Sequence, residues 1–273
     1  MFPVWINGSL VDPSDAMVPV FDHGLTVGDG VFETLRTESG VPFAISRHLR
    51  RLRQSLDGLG LELATPDGEL RDALCAVASR IDGPAKIRLT VTAGPGPLGS
   101  GRVPGAMTVY IVGDRLDAWP ETGAAVTVPW VRNERSAVAG LKTTSYAENV
   151  VALGRANAAG ASEALFANTA GHLCEGTGSN IFIVHDDVVR TPPLSSGCLP
   201  GITRALVIEL ADVVEETMPL DSLASADEVF LTSSTRDIQG LHRVDDRALD
   251  APGPHTRKIA AAFARMAAEH VDP

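Results

Sequence analysis

The stretch that decides the reading runs from Gly140-Leu141-Lys142-Thr143-Thr144-Ser145-Tyr146, through a helix-like segment, to Glu175-Gly176-Thr177-Gly178-Ser179-Asn180. A lysine amine can form a Schiff base with an aldehyde. A carboxylate can keep a pyridine nitrogen protonated, so that the ring draws electrons from the reacting carbon. The two ends of this stretch therefore suit chemistry on a carbonyl cofactor. Most lysines ahead of helices are solvated surface groups, so the pair takes its weight from the rest of the chain.

Downstream, Leu199-Pro200-Gly201-Ile202-Thr203-Arg204 sets Pro and Gly just before a helix, where first-turn N–H groups can face an anion. Thr232-Ser233-Ser234-Thr235 follows the apolar run Val229–Leu231, and hydroxyls at a strand's end can complete a phosphate cup. Upstream, Lys86 to Thr92 alternates strictly. Ile87, Leu89 and Val91 face one way and Lys86, Arg88, Thr90 and Thr92 the other, as expected of a strand lining a polar cavity or a solvated face. Asp22-His23-Gly24-Leu25 and Gly28-Asp29-Gly30-Val31-Phe32-Glu33-Thr34-Leu35-Arg36 join a glycine-rich turn to a strand. Arg51 lies beside the apolar stripe of a helix that the spacing of Leu49, Leu52, Leu56 and Leu59 predicts over Ser46–Leu59, with Ser46 as N-cap and Gly60 as stop.

The remaining pattern predicts a hairpin at Asn7-Gly8 and helices over Asp67–Arg80, Ser145–Ala161, Ile202–Val214 and His255–His270. Strands are expected at Met107–Val112, Val126–Pro129, Leu165–Ala167, Ile181–Val184, Val188–Thr191 and Val229–Leu231. The polar, Pro120-bearing stretch from Gly113 to Gly123 divides the chain into domains spanning 1–115 and 122–273. Two α+β domains with a site between them fit this order.

With 273 residues and 44% apolar content the chain can bury a substantial core. A formal charge of -11 argues against a nucleic-acid-binding surface while leaving room for a local basic site for a small anion. The sequence has no apolar run of membrane-spanning length and no signal-peptide pattern at its start. Cys75, Cys174 and Cys198 form neither a disulfide framework nor a metal-ligand pattern, which points to a reducing cytoplasm and to no metal.

Taken together, Asp-His-Gly-Leu, Gly-Asp-Gly-Val-Phe-Glu-Thr, His48-Leu49-Arg50-Arg51-Leu52, Leu141-Lys142, Glu175 to Phe182, Pro-Gly-Ile-Thr-Arg and Thr-Ser-Ser-Thr occur in one order. That order resembles the class IV, or fold-type IV, pyridoxal-phosphate enzymes, over nearly the whole chain. The group includes branched-chain aminotransferases, D-amino-acid aminotransferases and 4-amino-4-deoxychorismate lyases. The resemblance implies a small N-terminal α/β domain, a larger C-terminal domain carrying the lysine, and a homodimer with the cofactor between the domains. It implies that Lys142 holds the cofactor aldehyde, Glu175 pairs with the pyridine nitrogen and Arg51 binds the phosphate bidentately. Backbone amides of Ile202 and Thr203 and the hydroxyl of Ser234 would complete the phosphate site.

The substrate face selects the reaction. Branched-chain enzymes place a tyrosine five residues after the lysine; here position 147 is Ala and Tyr146 falls one residue short. Thr34 stands where the lyases carry a threonine linked to proton transfer, and Arg88 matches a basic lyase position suited to a substrate carboxylate, with Thr235 and Arg36 as further substrate-binding candidates. The D-amino-acid enzymes need a loop arginine where this chain has Leu98; the loop from Pro95 to Arg102 also differs from the typical lyase loop, with Arg102 placed to supply the missing charge. These positions favour a lyase releasing pyruvate from 4-amino-4-deoxychorismate to leave 4-aminobenzoate for folate synthesis. A class IV aminotransferase acting on branched-chain or D-amino acids or amines is the alternative, since both reactions begin with the same proton removal by Lys142.

Overall fold

The computed structural model describes residues 2–105 and 107–273; Met1 and Ala106, both within the expected first domain, lie outside the described residues. In chain order the elements are β1 (Val4–Ile6), β2 (Ser9–Val11), α1 (His23–Thr26), β3 (Gly30–Glu38), β4 (Val41–Pro42), α2 (Ile45–Leu59) and α3 (Asp67–Ala78). Then come β5 (Ala85–Thr92), β6 (Thr108–Arg115), β7 (Thr122–Arg132), α4 (Ala147–Ala158), β8 (Glu163–Asn168), β9 (Leu173–Gly176), β10 (Asn180–His185) and β11 (Val188–Thr191). The chain finishes with α5 (Ile202–Leu210), β12 (Val213–Glu215), β13 (Glu228–Ser233), β14 (Asp237–Val244), β15 (Arg247–Ala248) and α6 (Pro254–Glu269).

Two compact units result, the first comprising Met1–Asp117, Leu141–Tyr146 and Ala267–Pro273, the second Ala118–Gly140 and Ala147–Met266. The first is built on a sheet of order β2-β1-β6-β5-β3-β4. The Asn7-Gly8 hairpin forms as expected, with both residues at positive φ, the backbone a tight two-residue turn demands. Leu35, Ile87, Leu89 and Ile111 on the sheet bury against Leu49, Leu52 and Leu56 of α2 and Leu70 and Leu74 of α3. The second unit carries a sheet of order β12-β11-β10-β13-β14-β7-β8-β9, with β15 on β14. Nearly continuous apolar runs such as Ile181–Val184 identify its strands as buried on both faces, and Phe182 and Phe230 stack across neighbouring strands at 4.8 Å.

Three expectations change. The lysine segment, expected in the C-terminal domain, packs with the first unit, because it pairs with β3: Phe32 N donates to Lys142 O at 3.0 Å and Thr144 N to Gly30 O at 2.8 Å. Helix α2 begins at Ile45 after Ala44 rather than on a Ser46 cap. Ser46 N instead donates to the Asp272 carboxylate at 2.8 Å, so a residue far along the chain caps the first turn. Finally, α5 stops at Leu210, and Val213 and Val214, expected in its last turn, belong to the strand Val213–Glu215 that pairs parallel with β11.

Candidate active site

In the first unit, Lys142 is presented on an extended segment alongside β3. Its own N–H donates to Ser55 Oγ of α2 at 3.1 Å. The Gly-Asp-Gly turn makes this close approach possible: a Cβ on Gly28 would lie 2.6 Å from Ser145 Oγ, and one on Gly30 would lie 2.7 Å from the Val91 carbonyl. The Lys142 amine sits 4.4 Å from the centre of the Phe32 ring and 5.9 Å from that of Tyr146, and the two rings meet edge to face at 5.2 Å. Tyr146, one residue short in the sequence, thus stands beside the lysine.

Arg88 packs its guanidinium on the same Phe32 ring, 3.6 Å from its centre. Thr34 is its cross-strand partner in the β3–β5 pairing, so the half-buried Thr34 and Arg88 share a face of the sheet with Phe32. Burial, foremost, lowers the Arg88 pKa, while the hydroxyls of Tyr110 and Tyr146 act the other way. Arg36, a candidate for substrate, pairs with Glu38 at 2.5 Å and covers Phe43. Arg102 grips the Asp29 carboxylate with two hydrogen bonds of 2.6 Å and donates to Leu59 O, so it anchors the loop that carries it; Leu98 in that loop is exposed.

Arg51 is buried, and its Nε and Nη2 grip both carboxylate oxygens of Glu33 at 2.8 and 2.6 Å. The two-pronged face expected to meet a phosphate is therefore turned to Glu33. His48 Nδ1 lies 2.7 Å from Glu33 Oε2; an ionised carboxylate only accepts, so this nitrogen carries the proton. Burial works to raise the Glu33 pKa, but the charge and hydrogen bonds of Arg51 and the hydrogen bond of His48 outweigh it and hold it at about 2. Neither Glu33 nor His48 figured among the sequence candidates. The signal was present: Glu33 is the single charge between Val31 and Leu35 on the apolar face of β3.

In the second unit, Glu175 ends β9. Leu199 N donates to its Oε2 at 2.9 Å, and Arg132 Nε stands 3.0 Å from its Oε1. The turn after Glu175 is tied down by Glu163, which accepts from Thr177 N at 2.9 Å, from the Thr177 hydroxyl, and from Ser179 Oγ at 2.8 Å. Arg236 faces Glu163 at 3.3 Å with its guanidinium over Trp119. Asn180 Nδ2 donates to Leu199 O at 2.9 Å, linking this turn to the approach of α5. Gly201 caps α5 with no side-chain bond, so the buried first-turn residues Ile202 and Thr203 present amides suited to an anion. A Cβ on Gly201 would fall 1.9 Å from Asn180 Oδ1. Ser234 and Thr235, half-buried, follow β13, whose Thr232 pairs with Asn180. Each unit thus assembles its own share of the candidates: Lys142, Thr34, Arg88 and Arg51 in the first, Glu175, Ile202, Thr203, Ser234 and Thr235 in the second.

The family model for amino-transferase class IV matches residues 30–244. The chain belongs to that family. It is 37% identical to a putative branched-chain-amino-acid aminotransferase of Methanocaldococcus jannaschii, over 95% of this chain and 94% of that one. It is 29% identical to an aminodeoxychorismate lyase of Bacillus subtilis, over 89% and 87%. Among solved structures it matches a branched-chain aminotransferase from Thermoproteus uzoniensis with norvaline, at TM-score 0.92 and 31% identity, covering 98% of this chain and 95% of that one. It also matches a T.th. branched-chain amino acid aminotransferase with pyridoxamine 5'-phosphate, at TM-score 0.90 and 27% identity, covering 98% and 94%. The protein is thus a class IV enzyme dependent on pyridoxal phosphate. Its residues fit that cofactor: an uncapped helix start closed to any Cβ suits a phosphate, and a carboxylate fixed from both sides suits a protonated ring nitrogen. Among the described residues, no helix is long and apolar enough to cross a membrane.

Proposed function

We propose that the chain is an aminotransferase that moves the amino group of a small amino acid to a 2-oxo acid, working as a homodimer. The observation that carries this reading is Arg88, which the sequence alone set at a basic lyase position and which the structure sets close to the Lys142 amine. It shares the Phe32 ring with the Lys142 amine, and among the described residues no carboxylate pairs with it. A guanidinium near a reactive amine suits a substrate whose carboxylate lies close to its amino group. The closeness of Tyr146 to the lysine supports the branched-chain reading, as do the relatives in that class.

When bound, pyridoxal phosphate supplies an aldehyde for the amine and a ring that accepts electron density from the reacting carbon. Lys142 would hold that aldehyde and, once displaced by substrate, carry the proton from the amine-bearing carbon. Glu175 would face the ring nitrogen. The amides of Ile202 and Thr203, the Ser234 hydroxyl and the Arg51 guanidinium would bind the phosphate. Phe32 and Tyr146 would shield the amine from water, and Arg88 would orient the substrate, with Thr235 as a further contact.

A second reading is supported by Thr34, which sits across from Arg88 where a hydroxyl could pass a proton during elimination, and by the lyase relative. One experiment separates them. Purified protein should transaminate branched-chain or D-amino acids with 2-oxoglutarate faster than it forms 4-aminobenzoate from 4-amino-4-deoxychorismate, and borohydride should fix the cofactor to a peptide containing Lys142. Rapid 4-aminobenzoate release without transamination would assign the lyase. Labelling of a different peptide would overturn the role of Lys142.

A further inference from the structure

Arg132 took no part in the sequence reading, yet its side chain reaches the carboxylate on which the ring chemistry depends. It ends β7, where the pairing with β8 slips between Thr127 and Val131 around Pro129, a residue with no N–H to give to a ladder. Beyond the slip, the Arg132 guanidinium lies flat over Phe166, 4.0 Å from its centre. Phe166 is in turn the register partner of Glu175 on β9. Arg132 thus crosses the intervening strand and brings Nε to 3.0 Å from Glu175 Oε1, an electrostatic contact that is not a directed hydrogen bond. Both side chains are largely buried. Its Nη1 donates to Glu148 of α4 at 2.6 Å, and Nη2 lies 3.5 Å from the Gly176 carbonyl.

We propose that Arg132 is a positioning residue that sets the proton balance between Glu175 and the cofactor's ring nitrogen. This rests on the assignment of Glu175 to that nitrogen. A carboxylate facing a pyridine shares one proton with it, and the proton resides on the more basic partner. A cation against Glu175 makes the carboxylate the weaker base, so the proton stays on the ring, where it makes the ring electron-withdrawing. Without the cation the proton moves to the carboxylate and the ring loses that pull, with no atom added or removed. The Cys174 and Cys198 thiols are pushed up by burial, Cys198 to about 11, and bring no charge, while Leu199 N supplies a dipole to the other oxygen. Glu148 faces Arg132 from its far side and is half-exposed.

The test uses the holoenzyme loaded with pyridoxal phosphate labelled with 15N in the ring. The parent should give a protonated ring-nitrogen signal near neutral pH. In Arg132→Met that signal should move toward the unprotonated value and kcat should fall about 10- to 100-fold, the effect of a cation worth roughly 1–2 units of proton affinity. Arg132→Lys, which keeps the charge and loses the planar fork, should retain the protonated signal. A parent-like signal and kcat in Arg132→Met would overturn the proposal while leaving the assignment of Glu175 intact. The same loss in the lysine and methionine variants would make Arg132 a strut and overturn it too. An unprotonated ring nitrogen in the parent would remove the assignment of Glu175 and this proposal with it.

Discussion

At the scale of single residues, the chemistry of the first unit rests on a buried charge. Glu33, Arg51 and His48 form a cluster under the face that carries Phe32 and Arg88, and Lys142 lies close enough to bear on His48. Glu33 has a folded pKa of about 2 against an ordinary 4.5. As pH falls, the unfolded chain therefore takes up this proton first, and the stability that Glu33 contributes above pH 4.5 is lost as pH drops toward 2. Burial, foremost, also lowers the His48 pKa from 6.5, aided by the charges of Arg51 and Lys142 against the pull of Glu33, so the loss begins earlier, below pH 6.5. Denaturant midpoints measured from pH 7 to pH 3 should fall steadily. In Glu33→Gln the curve should start lower, since a buried arginine without its partner costs about 3–5 kcal/mol, and should be flatter below pH 4.5. Parallel curves for the two proteins would show that Glu33 is not the group being titrated. Arg51 was readable from His48-Leu49-Arg50-Arg51-Leu52; its bond to Glu33 was not, because that depends on which face of β3 meets α2.

At the scale of elements, two devices recur: glycines that let backbones come close, and carboxylates that hold turns. Gly201 shows the first. The α5 amides stay uncapped because the chain enters the helix against Asn180, with space for no side chain. Gly201→Ala should push Asn180 off the Leu199 carbonyl and displace the helix start. A loss of roughly 1–3 kcal/mol is expected from such overpacking, with weaker cofactor retention on dialysis. Retention equal to the parent would remove the α5 start from the phosphate site. Glu163 shows the second device, with three hydrogen bonds into the turn behind Glu175. The sequence pattern located most elements here, since the β5 alternation and the α2 stripe each reflect one dominant packing face. It missed what long-range contacts decide: Asp272 capping α2, Val213–Glu215 pairing as a strand, and the slip in β7 that aims Arg132.

At the scale of the whole molecule, chain order and spatial order part company. The lysine segment and the last residues both return to the first unit, the latter through Ala44 N to Val271 O at 2.7 Å and Arg47 Nε to Pro273 O at 2.8 Å. Motif order could name the family without showing this, because a motif records which residues recur and not which strand they lie beside. The first unit also leaves apolar side chains in water. Met17, Val20, Phe21, Leu25 and Leu98 are between 55% and 78% exposed. They lie on two segments that the backbone ties together, through Gly96 N to Phe21 O at 3.0 Å and His23 N to Gly94 O at 2.9 Å, with His23 Nε2 2.9 Å from Pro97 O. Single exposed apolar groups are ordinary, but several on neighbouring tied segments form an apolar surface suited to a partner. A second copy is the occupant that the homodimer reading requires, and a two-fold pairing would present the same segments from both sides. Sedimentation equilibrium at micromolar concentration should therefore give a dimer. Phe21→Glu combined with Leu25→Glu should shift it to monomer, since each copy would bury its charges unpaired. Both substitutions lie on the outer side of their segment, so the monomer should keep its far-ultraviolet circular dichroism. A parent protein that sediments as a monomer at tens of micromolar would show that no second copy covers this face.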